Sequence, residues 1–332
     1  MAEWIDLLDP SEAELRKAVP AEIHETALEQ LLRPARHDDE PRPRLQGQVH
    51  YVFGVFLVPV AIREEDRVFY QEIDLVATRE RVVTVIKTPE RGYPFDCTPV
   101  REEVAKGGDD RAGVIVYHLV DQIAEYFLDL VDALDDEIDE LEDGVETWPA
   151  AQVRQRISDL RHDLLHVRRV LSPTRDAIRR VVDKRIDVGE GPEVMPQDVE
   201  LDFADTYDKL LRALDGLDLS RDLLASARDY QQAKIANDQN EVTKRLTVIA
   251  ALLLVPTFIV GVYGQNFDHM PELHWRYGYA YSWGLIVLLT IVQLLVFRWM
   301  GWIGRPSVGR SKLPPLRALD PRSLRGRRRR ST

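Results

Sequence analysis

The sequence of 332 residues predicts an α+β membrane protein with three parts: an N-terminal cytoplasmic α/β domain, long coiled-coil-like stalk helices, and two C-terminal transmembrane helices. Three observations lead there. Two apolar runs without a charge, Leu246 to Tyr263 and Tyr279 to Phe297, lie close together near the end of the chain. Ahead of them, from Gly113 onward, apolar residues recur at helical spacing. Before Gly113, short β-rich runs alternate with turn residues.

Residues 1–110 read as the α/β domain. Tyr51 to Val58, Asp74 to Thr78 and Val82 to Ile86 are rich in β-branched and aromatic residues and read as a small sheet. Helical patterns flank it, Glu12 to Leu32 before and Arg101 to Val104 after. Met1 to Pro20 has early acids and no apolar core segment, so no signal peptide is expected and the domain stays in the cytosol. A lone Cys97 fits a reduced compartment and cannot build a cysteine-based zinc site.

Residues 111–245 read as a helical stalk. Val116, Val120, Ile123, Phe127, Leu130, Leu134, Ile138, Leu141 and Val145 alternate spacings of three and four up to Trp148-Pro149. A second helix carries Val153, Ile157, Leu160, Leu164, Val167 and Leu171, with a bend expected at Pro173, and stops by Gly189-Glu190-Gly191-Pro192. From Asp198 no proline intervenes before Pro256, so a third helix runs into the first span and reaches about 100 Å by Tyr263. A helix that long needs neighbours, which already suggests an oligomer.

The first span, 246–263, and the second, 279–300, each contain a charge-free run of roughly 27 Å, about a bilayer's hydrocarbon thickness. Soluble core helices rarely run so far without a polar face. Between the spans, the loop 264–278 holds Asp268 and Glu272 against Arg276; Lys244 and Arg245 precede the first span, and Arg298, Arg305 and Arg310 follow the second. The asymmetry of basic residues places both termini in the cytoplasm.

The net charge of −12 hides two opposed regions. From Arg298 to the end, eleven Lys or Arg face one acid, Asp320, giving +10, so residues 1–297 carry −22. An acidic body argues against nucleic acid, and a basic tail over 301–332, ending in Arg327 to Arg330, suits anionic lipid headgroups. The sequence contains neither a phosphate-binding glycine loop nor a nucleophile constellation, which argues against an ATP-driven pump and an enzyme. His162 and His166 have the i, i+4 spacing of a zinc helix but lack an evident third ligand, and Leu164 and Leu165 between them read as core stripe, so solvated histidines are the expectation.

The most informative residues are Tyr263-Gly264-Gln265-Asn266-Phe267, followed by Met270-Pro271-Glu272-Leu273. Carboxamides at the end of a span must find partners. Physical reasoning leaves two uses open: capping the helix at the interface, or converging on an axis where their carbonyls accept hydrogen bonds from the waters of hydrated Mg²⁺.

These residues resemble the signature of the CorA family of magnesium channels, Tyr-Gly-Met-Asn at the end of the first of two spans with Met-Pro-Glu-Leu shortly after. The resemblance extends back through Asn240-Glu241-Val242 and Lys244, Tyr207-Asp208, and Asp135-Asp136-Glu137-Ile138-Asp139, covering residues 115 to 300 well. Gln265 stands where the usual member has Met.

The resemblance implies a homopentameric funnel whose first span lines the pore. It implies a selectivity filter at Gly264, Gln265 and Asn266, and pore-lining positions at Thr257, Leu254, Leu246, Asn240 and Asp229, with Pro256 one place from the family's usual proline. Glu272 is placed to attract cations outside, and Asp205 falls on the intersubunit regulatory Mg²⁺ site, whose partner carboxylate the sequence does not locate. Mg²⁺ is then both cargo and regulator, and the partners are further copies of the chain, divalent cations and lipids of the plasma membrane. Two other readings stay open: a zinc or cobalt transporter of the same fold, and a membrane-anchored coiled-coil scaffold without conduction. Polar residues spaced along the first span count against the scaffold.

Overall fold

The computed structural model describes residues 2–35, 40–62, 67–89, 91, 94–186, 193–265 and 270–303, in two compact units, residues 1–234 and 235–332. In the first unit the element order is β1 (Glu3–Leu8), α1 (Glu12–Ala18), α2 (Glu25–Leu32), β2 (Arg44–Gly47), β3 (Val52–Ile62), β4 (Arg67–Ala77), β5 (Arg81–Ile86), α3 (Thr98–Gly107), α4 (Ala112–Thr147) and α5 (Ala150–Val182). The helix α6 (Gln197–Tyr263) begins there and ends in the second unit, which adds a short 3₁₀ turn (Pro271–His274) and α7 (Gly278–Trp299).

The five strands form one sheet in the order β1-β5-β4-β3-β2, with β1 parallel to β5 and the other pairs antiparallel. Both faces are covered. On one, α1 and α2 bring Leu15, Leu28 and Leu31 onto Phe53, Val55, Val83 and Val85; on the other, Phe56, Ile73 and Leu75 join the core that continues through Ile115, Leu119, Ile123 and Phe127 of α4. Alternation along β3 sends successive side chains to opposite faces, so one strand serves two cores.

The N-terminal region differs from the expectation in its helices and in its edge strand. The single helical stretch over Glu12 to Leu32 is two helices, because Pro20 lies between them and has no backbone N–H to give. Ser11 and Glu14 close a reciprocal capping box at the start of α1. The edge strand β1 was not foreseen, and it draws its partner from 78 residues away, with the Trp4 indole donating to Thr84 Oγ1 at 3.2 Å.

The long helices agree with the periodicity. α4 and α5 meet at an ion pair of 2.8 Å between Glu137 and Arg156. Contacts of α6 with α4 fall at a near-constant separation: Thr206 to Asp121, Ser220 to Asp135, and Tyr230 to Glu146 are 85, 85 and 84 residues apart. A constant difference means that α6 runs parallel to α4 in fixed register. Pro256 lies inside α6 without ending it.

Among the described residues, α6 and α7 are the two helices long and apolar enough to cross a membrane, and their apolar windows are 11% and 0% buried within the chain. Helices that stay uncovered over such lengths are not soluble-core helices. Aromatic residues mark both ends of α7, with Tyr279 and Trp283 near its start and Trp299 at its end, the distribution of side chains that sit at membrane interfaces. Hydroxyls in these helices are satisfied internally: Thr257 donates to Leu253 O at 2.7 Å and Thr290 to Ile286 O at 2.8 Å. Gly278 is required at the turn into α7, since a Cβ there would lie 2.2 Å from Glu272 O.

Candidate functional site

Within the second unit, Val248 and Ile259 are the buried apolar residues of α6, and the Gln293 amide of α7 donates to Ala251 O at 3.2 Å. These contacts define the side of α6 that meets α7. Leu246, Ala250, Leu254, Thr257, Gly261 and Gly264 follow one another at steps of three and four residues, so they form a single stripe. That stripe is on the other side: Leu246 is 62% and Leu254 68% exposed, and Thr257 and Gly261 are exposed as well.

The stripe combines two wide apolar side chains, Leu246 and Leu254, with narrow positions at Ala250, Gly261 and Gly264 and one hydroxyl. Thr257 spends its proton on Leu253 O, which leaves the oxygen's lone pairs able to accept from water. At the end of α6, Gly264 N–H donates to Val260 O at 2.9 Å and Gln265 N–H to Val262 O at 3.4 Å, and both residues are exposed. Glu272 is half-buried in the 3₁₀ turn. Asn240 is exposed on the part of α6 that precedes the apolar run. Asn266 and Asp268 lie outside the described residues, as do Gly189–Pro192 and the tail from residue 304 onward.

In the first unit, Asp229 and Asp205 are exposed on α6. Asp205, Asp202 and Asp121 all act on Tyr117, and Lys209 pairs with Asp121 at 2.9 Å. Burial first, then the charges of Asp121, Asp202 and Asp205 against that of Lys209, push the Tyr117 phenol above its ordinary range. Among the described residues no group of three or more His, Cys, Asp or Glu is placed to hold a metal ion.

The histidine pair departs from the expectation of two solvated rings. His162 is exposed, but His166 is half-buried, 2.7 Å from Glu40 Oε2, and packs edge-on against Tyr70 with ring centroids 4.9 Å apart. Leu164 is core, whereas Leu165 is 53% exposed, because adjacent helix positions lie 100° apart. Cys97 is buried, and desolvation pushes its thiol up to about 12, so it stays protonated. A buried charge cluster escaped the sequence reading altogether: Lys87 Nζ lies 2.5 Å from Glu72 Oε1 and 3.0 Å from Asp74 Oδ2, inside the sheet.

The family described as "CorA-like Mg2+ transporter protein" matches residues 2–299, so the match takes in the α/β domain as well as the helices. The cobalt/magnesium transport protein CorA of Thermotoga maritima is 28% identical over 85% of this chain and 77% of its own length. The protein of the same description from Methanocaldococcus jannaschii is 26% identical over 90% and 91%. The complete structure of the M. jannaschii CorA magnesium transporter superposes with a TM-score of 0.71 at 21% identity, covering 90% of this chain and 91% of that one, which establishes a shared fold.

Proposed function

The chain belongs to the CorA-like Mg²⁺ transporter family, and on that premise we propose that it is the protomer of a homopentameric divalent-cation channel of the plasma membrane. The observation that carries this is the exposed stripe of α6 opposite α7, which ends at Gly264 and Gln265. Membership in a transport family also sets an enzyme aside.

In a ring of five, the stripe faces the axis. Leu246 and Leu254 form apolar constrictions that close by dewetting, Thr257 and Asn240 offer polar rings to a hydrated ion, and Asp229 forms an anionic ring at the cytoplasmic mouth. Gly264, Gln265 and Asn266 form the filter, with Glu272 drawing cations towards it from outside. Mg²⁺ gives up its waters reluctantly, so a ring of amide carbonyls receives the hydrated ion through its water protons. Basic residues flanking the spans keep both termini in the cytoplasm, and the tail lies against anionic lipid.

The test is ion flux into liposomes holding the purified protein, with Mg²⁺, Co²⁺, Ni²⁺ and Zn²⁺ compared with and without a proton gradient. Mg²⁺ entry without a proton gradient supports the channel. Zn²⁺ flux that depends on the proton gradient favours the second reading, a zinc transporter of this fold, and no flux for any ion overturns both. Gln265 bears on that choice, since the usual family residue there is Met. Gln265→Met is expected to change the ratio of Mg²⁺ to Co²⁺ or Zn²⁺ flux severalfold, and an unchanged ratio would mark Gln265 as neutral.

The same liposomes test regulation. Carboxylates of neighbouring protomers near Asp205 repel one another until Mg²⁺ bridges them, so internal Mg²⁺ favours the closed state by its differential affinity. A loss of about 1 kcal/mol at each of five sites sums to about 5 kcal/mol, close to what carries a two-state equilibrium from one extreme to the other. Asp205→Ala is expected to keep conducting at internal Mg²⁺ that silences the parent channel. An unchanged inhibition curve would make Asp205 an ordinary solvated acid.

A further inference from the structure

Charged groups on two sides of the α4–α5–α6 bundle match one another. A groove of about 250 Å³ runs between α5 and α6, floored by Leu164, Leu217 and Leu224 and rimmed by Arg161, Arg168, Arg221 and Arg228. Leu165 stands exposed at its edge. Arg168 pairs with Asp218, while the other three arginines form no ion pair among the described residues. No residue of α4 lines this groove. The outward side of α4 carries the opposite charge: Asp132, Asp136, Asp139 and Asp143 are exposed at steps of four, three and four residues, again without an ion pair among the described residues.

The two patches share a repeat and a height. Asp132 and Asp139, Asp136 and Asp143, Arg161 and Arg168, and Arg221 and Arg228 are all seven residues apart, about 10.5 Å along a helix. The register between α4 and α6 adds 85 residues, as Asp135 with Ser220 fixes, so Asp136 is level with Arg221 and Asp143 with Arg228. Rotation about an axis along the bundle moves a copy sideways without raising it. Complementary patches on different sides at one height are what a head-to-tail contact in a closed ring needs.

We propose that the arginine-rimmed groove between α5 and α6 is the docking site for the acidic side of α4 from the next copy of this chain. The inference rests on the ring reading above and adds a second contact, in the cytoplasmic bundle, to the one along α6. Exposed ion pairs contribute little individually, and here their work is to fix register and neighbour, while the apolar floor and Leu165 supply buried area. Guanidinium groups suit this role because they pair with carboxylates in a fixed planar geometry.

The test uses the full-length protein in detergent with two cysteines, Asp139→Cys on α4 and Ala225→Cys, an exposed position lining the groove, which leaves all four arginines and three of the four aspartates in place. Cys97 is buried and gives little reactive background. A short bismaleimide is expected to produce a ladder from dimer upward in the double variant and none in either single variant. Reversing the rim with Arg221→Glu and Arg228→Glu is expected to remove the ladder, and adding Asp136→Lys and Asp143→Lys is expected to restore it. Particle mass is measured alongside. A ring-sized particle with no ladder overturns this docking alone, whereas a monomeric particle overturns the ring reading with it.

Discussion

Asn266→Ala is expected to reduce Mg²⁺ uptake into liposomes to the level of protein-free vesicles while leaving particle mass unchanged. The residue stands directly after the exposed Gly264 and Gln265 that end the α6 stripe. In the proposed filter its carboxamide is the acceptor that receives the hydrated ion's water protons, and alanine has none. In the proposed ring the substitution removes a carbonyl from every copy at once, so all of those acceptors are lost. It removes little apolar area, so assembly through the rest of the chain has no reason to fail. Asn266→Gln adds a control, because it keeps the carbonyl and moves it by one methylene. Residual flux in Asn266→Gln with none in Asn266→Ala would assign the loss to the carbonyl, and uptake by Asn266→Ala close to that of the parent would remove Asn266 from the filter.

The helices and spans were legible in the sequence because their signal is local. In α4, apolar residues from Val116 to Val145 repeat over eight turns, and in α6 the gap without proline from Asp198 to Pro256 leaves the chain nothing to stop it. The motif at 263–273 was equally local, since its meaning lies in the order of a few residue types. What escaped was what other parts of the chain decide. β1 carries two acids among its six residues and lies half-exposed at the sheet edge, so it has no apolar run, and only β5, 78 residues away, makes it a strand. His166 was read as solvated because Glu40 and Tyr70, which hold it, are far off in sequence. The pore residues are a third case. Periodicity places Leu246, Leu254 and Thr257 on one side of α6, but the narrowing proposed for them would exist only between copies, so residue types were readable and distances were not.

Lys87→Ala is expected to be the most destabilising single change in the α/β domain. The ammonium is 2% exposed, Glu72 6% and Asp74 0%, and besides the two carboxylates Lys87 donates to Gln30 O at 3.1 Å. Gln30 Nε2 in turn donates to Glu72 Oε1 at 3.1 Å. Asp74 is less well served: its Oδ2 lies 3.0 Å from Lys87 Nζ, but neither of its oxygens has an aligned donor. Burial, then the charge of Glu72, raises Asp74 to about 7 against the opposing pull of Lys87. Two buried carboxylates thus share one ammonium, and a proton on Asp74 balances them near neutral pH. Removing the ammonium strands two acids in the sheet, for which breaking a buried pair suggests a cost of about 3–5 kcal/mol, or roughly 6–20 °C in a unit of this size. The pH dependence has a definite sign. A carboxyl whose folded value lies above its unfolded one binds its proton more tightly when folded, so stability is greatest below the unfolded value near 4 and is lost as pH rises towards 7. The penalty of Lys87→Ala is therefore expected to be larger at pH 8 than at pH 5.5, where Asp74 holds its proton. Asp74→Asn, which imitates the protonated acid, is expected to flatten the parent's decline between those pH values. Thermal melts of the full-length protein in detergent, followed by circular dichroism, check both. A Lys87→Ala protein that melts with the parent at pH 8 would mean that water or a rearranged neighbour takes over the role of the ammonium, and that the cluster is not the closed arrangement described above.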